Sequence, residues 1–300
     1  MEGNASAVLQ MDALIRAGLP SANFLIMLAI GMGLAAREFA RVAREPGPLL
    51  VGIAGQYLLL PLLGFGVAML FRHSYELAVG FILLAASPSA SSSNALTYLA
   101  RGNLALAVTL TAVSALLTLA TIPLLTGAAL QAFAGQSRAI PLPVPQMMAH
   151  LVLLVALPLL LGMALRHLWP RWCERAQPWL TRLSLGLLLV LIACIAVDQR
   201  EALLPWIGTL ALATAGMCLV GMCGGYLLGH LCRLERRDAI TIGIETGIQN
   251  CTLAFLIAYN VLESATMAMP PAVYGIMMYA VALCFVSAAR ANTGAGPRTG

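Results

Sequence analysis

Residues 102–137 contain no charged side chain. That stretch exceeds the roughly 20 apolar residues a bilayer-spanning helix requires. Comparable apolar runs recur along the 300-residue chain, separated by short segments that hold most of the charges. Hydrophobic residues make up 60% of the chain and charged residues only 10%, against about 25% charged in a soluble domain. So few charges cannot clothe a water-facing surface, which excludes a soluble globular protein. Disorder is excluded too, since it needs low hydrophobicity and high net charge. The expectation is an all-α membrane protein that crosses the bilayer repeatedly.

Nine spans can be read, near 17–36, 47–71, 77–100, 103–130, 145–167, 181–197, 203–231, 239–260 and 268–289. Gln131 to Pro145, with Pro141, Pro143 and Pro145, reads as an exposed loop. The start of the chain lacks a basic segment followed by an apolar one, so no cleavable signal is expected and the run from Leu19 is read as a span. Every cation besides histidine is an arginine, and 13 of the 17 fall in one set of alternate loops and the tail. That set holds Arg37, Arg41, Arg44, Arg101, Arg166, Arg171, Arg175, Arg182, Arg233, Arg236, Arg237, Arg290 and Arg298. Arg16, Arg72, Arg138 and Arg200 fall on the other side. The positive-inside rule puts the richer side in the cytoplasm, with the N-terminus outside and the C-terminus inside, as in a plasma (inner) membrane protein. The arginines form no single stripe, so lipid rather than nucleic acid is the expected partner. The seven cysteines show no metal-type spacing and read as small buried hydrophobes.

Two spans are unusual. The third carries Ser87-Pro88-Ser89-Ala90-Ser91-Ser92-Ser93-Asn94 at its middle, and the eighth carries Glu245-Thr246-Gly247-Ile248-Gln249-Asn250. Pro88 removes a backbone hydrogen bond and clashes with the preceding turn. Such breaks survive in a bilayer only where protein or a water-filled cavity surrounds them. Spans 2-3-4 are echoed by spans 7-8-9 in opposite orientation. Interrupted helices at corresponding places of inverted halves point to a transporter binding site.

Glu245 is the one acidic residue at the middle of a span. A charge there costs about 2.5–3.5 kcal/mol even on the lenient insertion scale. No arginine lies at its depth, so a metal cation, a proton or a water-filled cavity must compensate it. Gln249 follows one helical turn later and is expected on the same face. Gly247 would let the backbone bend and expose carbonyls. With Gln56, Ser93, Asn94 and Thr111, these residues offer hard oxygen ligands, which suit an alkali cation better than a transition metal. The four histidines form no serine–histidine–acid set, and no Gly-x-Ser-x-Gly or His-Glu-x-x-His motif occurs, so no enzyme is expected.

The stretches GFILLAASPSASSSNALTYLARGN (80–103) and ITIGIETGIQNCTLAFLIA around Glu245 resemble the bile acid:sodium symporter family. Gln56 in VGIAGQYLLLPLL and the segment Gly31-Met32-Gly33-Leu34 match as well. The resemblance implies a nine-helix transporter with inverted repeats and two crossed, unwound helices. It implies a panel domain of spans 1, 5 and 6 (1–46 and 145–200), a core domain of spans 2–4 and 7–9 (47–144 and 201–290), and a cytoplasmic tail (291–300). It implies one or two sodium ions sharing Glu245. The first site would use Ser93, Asn94, Thr111 and Glu245. The second would use Gln56, Glu245, Gln249 and the carbonyls near Thr246 and Ile248. Ser91 and Asn250 match positions that face the organic substrate, and Tyr279 stands where some relatives have a histidine. Ala107 replaces a serine ligand of the first site, and Ser89-Ala90 replaces Gly-Gly.

The expected activity is sodium-coupled symport of an organic anion by alternating access, the anion meeting backbone N–H groups at a half-helix N-terminus. The alternatives are a proton-coupled or uncoupled transporter, with Glu245 titrating, and a non-transporting sensor that keeps the fold.

Overall fold

The computed structural model describes residues 2–34, 46–134, 144–198, 201 and 204–291. The described residues form helices in the order α1 (Glu2–Gly33), α2 (Pro46–Leu70), α3 (Tyr75–Ala86), α4 (Ser92–Leu99), α5 (Leu104–Phe133), α6 (144–168), α7 (Pro170–Asp198), α8 (Ile207–Leu231), α9 (Arg236–Gly247), α10 (Cys251–Val261) and α11 (Ala265–Ala291). Among the described residues, α2, α5, α8, α11 and the Met147–Leu168 part of α6 are long and apolar enough to cross a membrane. Ala17–Gly33, α3 and α10 are shorter apolar helices. The protein is thus an all-α, multi-pass membrane protein.

The two polar runs do not sit inside continuous helices. Residues 77–100 divide into α3 and α4, and residues 239–260 into α9 and α10. Ser87 and Ile248, the residues that end α3 and α9, both have extended backbone. The expected span 181–197 is part of a longer helix that starts at Pro170. Charges ended the hydropathy reading there, but they do not end a helix at a water interface. Proline suits a first helical position, Arg166 pairs with Glu174 at 3.1 Å, and the Arg182 guanidinium lies 5.4 Å from the Trp179 ring. The expected loop 131–145 is shorter than its sequence suggests, since α5 runs to Phe133 and Pro145 lies in the first turn of α6. Its middle, with Pro141, Pro143 and Arg138, lies outside the described residues, as do Arg37, Arg41, Arg44, Arg200 and the tail from 292.

Burial separates the helices into an inner and an outer set. Every residue of α3 from Leu77 to Ala86, and of α9 from Asp238 to Gly247, is buried. Large apolar side chains such as Leu62, Leu124, Leu212 and Leu283 are exposed on α2, α5, α8 and α11, where a bilayer would cover them. The interrupted helices are therefore wrapped by protein, the condition under which irregular backbone is tolerated at membrane depth.

Helix α3 packs against α2, α5 and α11, and α8 packs against α9 and α11. Helix α1 packs against α6 and α7. Where α1 meets α6, a Cβ at Gly162 would lie 2.3 Å from the Leu28 carbonyl oxygen. Only glycine lets the two backbones approach so closely. Helices α2 and α6 each contain a π turn, Gly55–Leu59 and Val152–Ala156. Each π turn is followed closely by a proline, Pro61 or Pro158, whose missing N–H leaves the ladder one donor short. In α2 this turn brings Gln56 inward, nearly fully buried.

Candidate ion and substrate site

The two breaks lie against each other. Ser89 and Gln249 form an isolated antiparallel bridge. Ala90 N donates to the Ile248 carbonyl at 3.0 Å, and Asn250 N donates to the Pro88 carbonyl at 2.8 Å. Ser89 Oγ donates to the same Ile248 oxygen at 3.2 Å. Each unwound segment thus satisfies backbone groups that the other leaves free, as buried backbone requires.

Glu245 reaches this crossing from the last turn of α9 and is 3% exposed. One carboxylate oxygen accepts from Ser93 Oγ, at the start of α4. The other accepts from Thr111 Oγ1 of α5 at 3.0 Å. The Ser93 and Thr111 hydroxyl oxygens are 3.5 Å apart, and Ser89 Oγ lies 3.3 Å from Ser93 Oγ. Asn94 follows directly, and its Oδ1 is buried without a hydrogen-bond partner among the described residues. A small cation fits this set. The two carboxylate oxygens and two hydroxyls that can turn their protons away are all hard donors. Ala107 supplies no side-chain oxygen here, although its carbonyl oxygen lies 3.0 Å from Thr111 Oγ1.

The residues expected at a second ion site meet on the opposite side of the break. Gln56 Nε2 donates to Gln249 Oε1 at 2.8 Å and to the Ser87 carbonyl at 3.0 Å. Gln249 Nε2 is within 2.8–3.3 Å of the Thr246 carbonyl, the Glu245 carbonyl and Gln56 Oε1. Three oxygens therefore converge on one amide nitrogen. A cation fits that cage once the Gln249 amide turns its own oxygen inward. The Ile248 carbonyl, by contrast, is taken by the other break.

Two local expectations change. Gln249 does not lie beside the Glu245 carboxylate one turn on, because the helix stops at Gly247 and Ile248 is extended. The Gly247 carbonyl is freed by the break, as its flexibility implies, but it is not left open. Tyr274 OH donates to it at 2.8 Å and Cys218 Sγ lies 3.3 Å away. Neither residue stood out in the sequence. A tyrosine in an apolar run, whose hydroxyl needs a partner when buried, was the signal available for Tyr274.

The residues expected to face substrate share a cavity of about 250 Å³ beside the crossing. Ser91, Ser92 and Asn250 line it from the breaks, Tyr279 from α11, and Ile26 and Thr181 from α1 and α7. Tyr279 OH donates to Ser92 Oγ at 3.2 Å. Asn250 Oδ1 accepts from Leu253 N at 3.1 Å and so caps α10. Its Nδ2 is buried without a partner among the described residues, which leaves an amide N–H donor group beside the cavity.

A multi-pass helical protein with two interrupted helices paired around a buried carboxylate is the architecture of a membrane transporter. The chain belongs to the sodium bile acid symporter family, whose sequence model matches residues 22–206. It is 32% identical over 255 residues to a probable chloroplastic sodium/metabolite cotransporter of Oryza sativa subsp. japonica, covering 84% of this chain and 59% of that protein. It is 29% identical over 256 residues to an uncharacterized sodium-dependent transporter of Bacillus subtilis, covering 84% and 76%. A probable chloroplastic sodium/metabolite cotransporter of Arabidopsis thaliana is 28% identical over 250 residues, covering 83% and 61%. The chain thus spans about three fifths of the length of the two plant relatives.

Proposed function

We propose that the protein is a sodium-coupled secondary transporter of a small organic anion, working by alternating access. The observation that carries this reading is Glu245. Its carboxylate is buried at the crossing, and among the described residues its side-chain partners are hydroxyls rather than cations. Sodium bound among Glu245, Ser93, Asn94 and Thr111 neutralises it. A second ion sits among Gln56, Gln249 and the Glu245 and Thr246 carbonyls once the Gln249 amide turns; the Ile248 carbonyl is engaged elsewhere. Names that include sodium dependence among the relatives support the ion.

The anion occupies the cavity lined by Ser91, Asn250 and Tyr279. At about 250 Å³ this cavity is below the roughly 300–1,000 Å³ of pockets for drug-sized ligands, which favours a small carboxylate over a steroid. Sodium binding draws the two breaks together and completes the cavity wall. By linkage, substrate then raises sodium affinity by the factor by which sodium raises substrate affinity.

The moving parts follow the helix packing. Spans 1, 5 and 6 (1–46 and 145–200) form a panel, and spans 2–4 and 7–9 (47–144 and 201–290) form the core. The antiparallel pairing of the breaks supports inverted halves. So do two matching turns, after α4 and after α10, where Arg101 and Glu263 both adopt positive φ. We place the nine-span chain in the plasma (inner) membrane with its arginine-rich end and its tail, 291–300, in the cytoplasm.

Uptake of small carboxylates into proteoliposomes, with a sodium gradient against choline at several pH values, tests the reading. Sodium-dependent uptake that is insensitive to a proton gradient is the expected result. Uptake driven by protons in choline replaces it with the proton-coupled alternative, which Ala107 favours by removing an ion ligand. Substrate binding without uptake or counterflow replaces it with a sensor.

A further inference from the structure

The proposed ion site is one end of a longer polar seam. Three helices present small or polar residues at successive turns on the way from Glu245 to the arginine-rich end. On α9 these are Glu245, Thr241 and Asp238; on α4, Ser93 and Thr97; on the start of α5, Thr111, Ala107 and its cap Asn103. Residues three, four or seven apart share a helix face. The far end opens on a polar cavity of about 620 Å³ lined by Gly102, Asn103, Arg233, Glu235, Arg237 and Asp238.

Contacts tie the outer part of the seam together. Asn103 N donates to Thr241 Oγ1 at 2.8 Å, and Asn103 Nδ2 donates to Asp238 Oδ1 at 2.8 Å. Thr241 donates in turn to the Arg237 carbonyl at 2.8 Å. These bonds use up donors and leave oxygen lone pairs, a lining suited to a cation. Gly102 sits between the two threonines, where an added Cβ would lie 2.7 Å from Thr241 Oγ1 and 2.8 Å from Thr97 Cγ2. Thr97 is completely buried, and its hydroxyl has no partner among the described residues. A neighbouring face of α9 is closed: Ile242 packs there with Leu106 and Leu110 in a separate apolar cluster.

We infer that the coupling cation passes between Glu245 and the arginine-rich end along this seam, with Thr97 as an intermediate ligand and Asp238 at the mouth. The inference rests on the sodium reading above and adds the path to it. Asp238 and Glu235 together offset Arg233 and Arg237, which line the same cavity and would otherwise repel the ion. Ala107 keeps the α5 side of the seam small.

The test compares rate with equilibrium in the full chain. Thr97→Val keeps the shape and removes the hydroxyl; Asp238→Asn keeps the shape and removes the charge. Sodium affinity is read from thermal shift and the rate from radioactive sodium exchange in proteoliposomes. Both variants should exchange sodium at least about tenfold more slowly while sodium affinity stays within about twofold, and Thr97→Ser should restore the rate. Exchange within twofold of wild type in both variants overturns the path. A loss of affinity matching the loss of rate also overturns it, making the residues part of the ion site instead. If Thr97→Val does not fold, Asp238→Asn decides alone. Wild-type protein indifferent to sodium sinks the parent reading and the path with it; a sodium-dependent wild type with unaffected variants sinks the path only.

Discussion

The two helix breaks reach the same shape by different means. The first is written into local chemistry. Pro88 cannot continue the helix, and a run of serines competes for backbone hydrogen bonds. The carbonyls that the first break frees are taken by side chains from two neighbours. Ala86 accepts from Thr118 and Thr121, and Ser87 accepts from Gln56. The second break has no proline. It is held open by Tyr274 and Cys218 of neighbouring helices on the Gly247 carbonyl, with Asn250 of the break itself capping α10. The first break supplies hydroxyls and the second supplies charge. A break made by its own sequence resists loss of a neighbour; a break made by neighbours does not.

The largest expected effect tests the charge side. Glu245→Gln keeps the size and an acceptor oxygen but cannot balance an ion. Sodium-dependent stabilisation and uptake should fall below detection, a loss of at least about 100-fold, in line with the several kcal/mol that an uncompensated charge at membrane depth commands. Unchanged sodium dependence in thermal-shift and uptake assays would remove the carboxylate from the ion site.

On the hydroxyl side, Ser93→Ala should weaken sodium binding by about 10- to 100-fold, the range set by losing a hydrogen bond to a charged group at about 1.5–3 kcal/mol. Stability without sodium should also drop, because one carboxylate oxygen loses its donor. A sodium titration of the variant decides this. Affinity equal to wild type would mean that the first break shapes the site without ligating the ion.

How far the sequence reveals this site follows the same division. Pro88 and the serine run are visible because local chemistry creates them, and Glu245 is visible because a mid-span charge has no bland explanation. The juxtaposition of Ser93, Thr111 and Glu245 is suggested by their shared oxygen chemistry and by the family resemblance, but no spacing rule joins residues so distant in sequence. The capture of the Gly247 carbonyl by Tyr274 and the Asn103–Asp238 contact are tertiary events without a local signal. The i, i+4 rule misplaced Gln249 because it assumes a helix that ends two residues earlier. The long start of α7 was hidden for the opposite reason, since hydropathy reports burial in lipid and not helicity.

Tyr274→Phe sharpens the contrast between the breaks at smaller amplitude. The Gly247 carbonyl loses one donor at membrane depth, where no water replaces it, so stability should fall by about 1–3 kcal/mol. Sodium affinity should fall with it, because Glu245 is two residues from that carbonyl. The matched change at the first break, Thr121→Val, leaves the Thr118 hydroxyl on Ala86, whereas Tyr274→Phe leaves only the weaker Cys218 thiol on Gly247, so Thr121→Val should cost less. Thermal denaturation of both variants, with and without sodium, ranks them. An equal or reversed ranking would mean that both breaks depend on their neighbours to the same degree.

The smallest expected effect adds an atom instead of removing one. Ala107 is fully buried one turn before Thr111, and its carbonyl oxygen lies 3.0 Å from the Thr111 hydroxyl. Ala107→Ser leaves that carbonyl in place and adds a second hydroxyl to the α5 wall of the site. One further neutral ligand, at about 0.5–1.5 kcal/mol, should tighten sodium binding by about 2- to 10-fold. The same hydroxyl narrows the seam that runs past residue 107, so sodium exchange should slow while affinity rises. Tighter binding with faster exchange would separate residue 107 from the path, and unchanged affinity would show that the carboxylate and the two existing hydroxyls already saturate the ion.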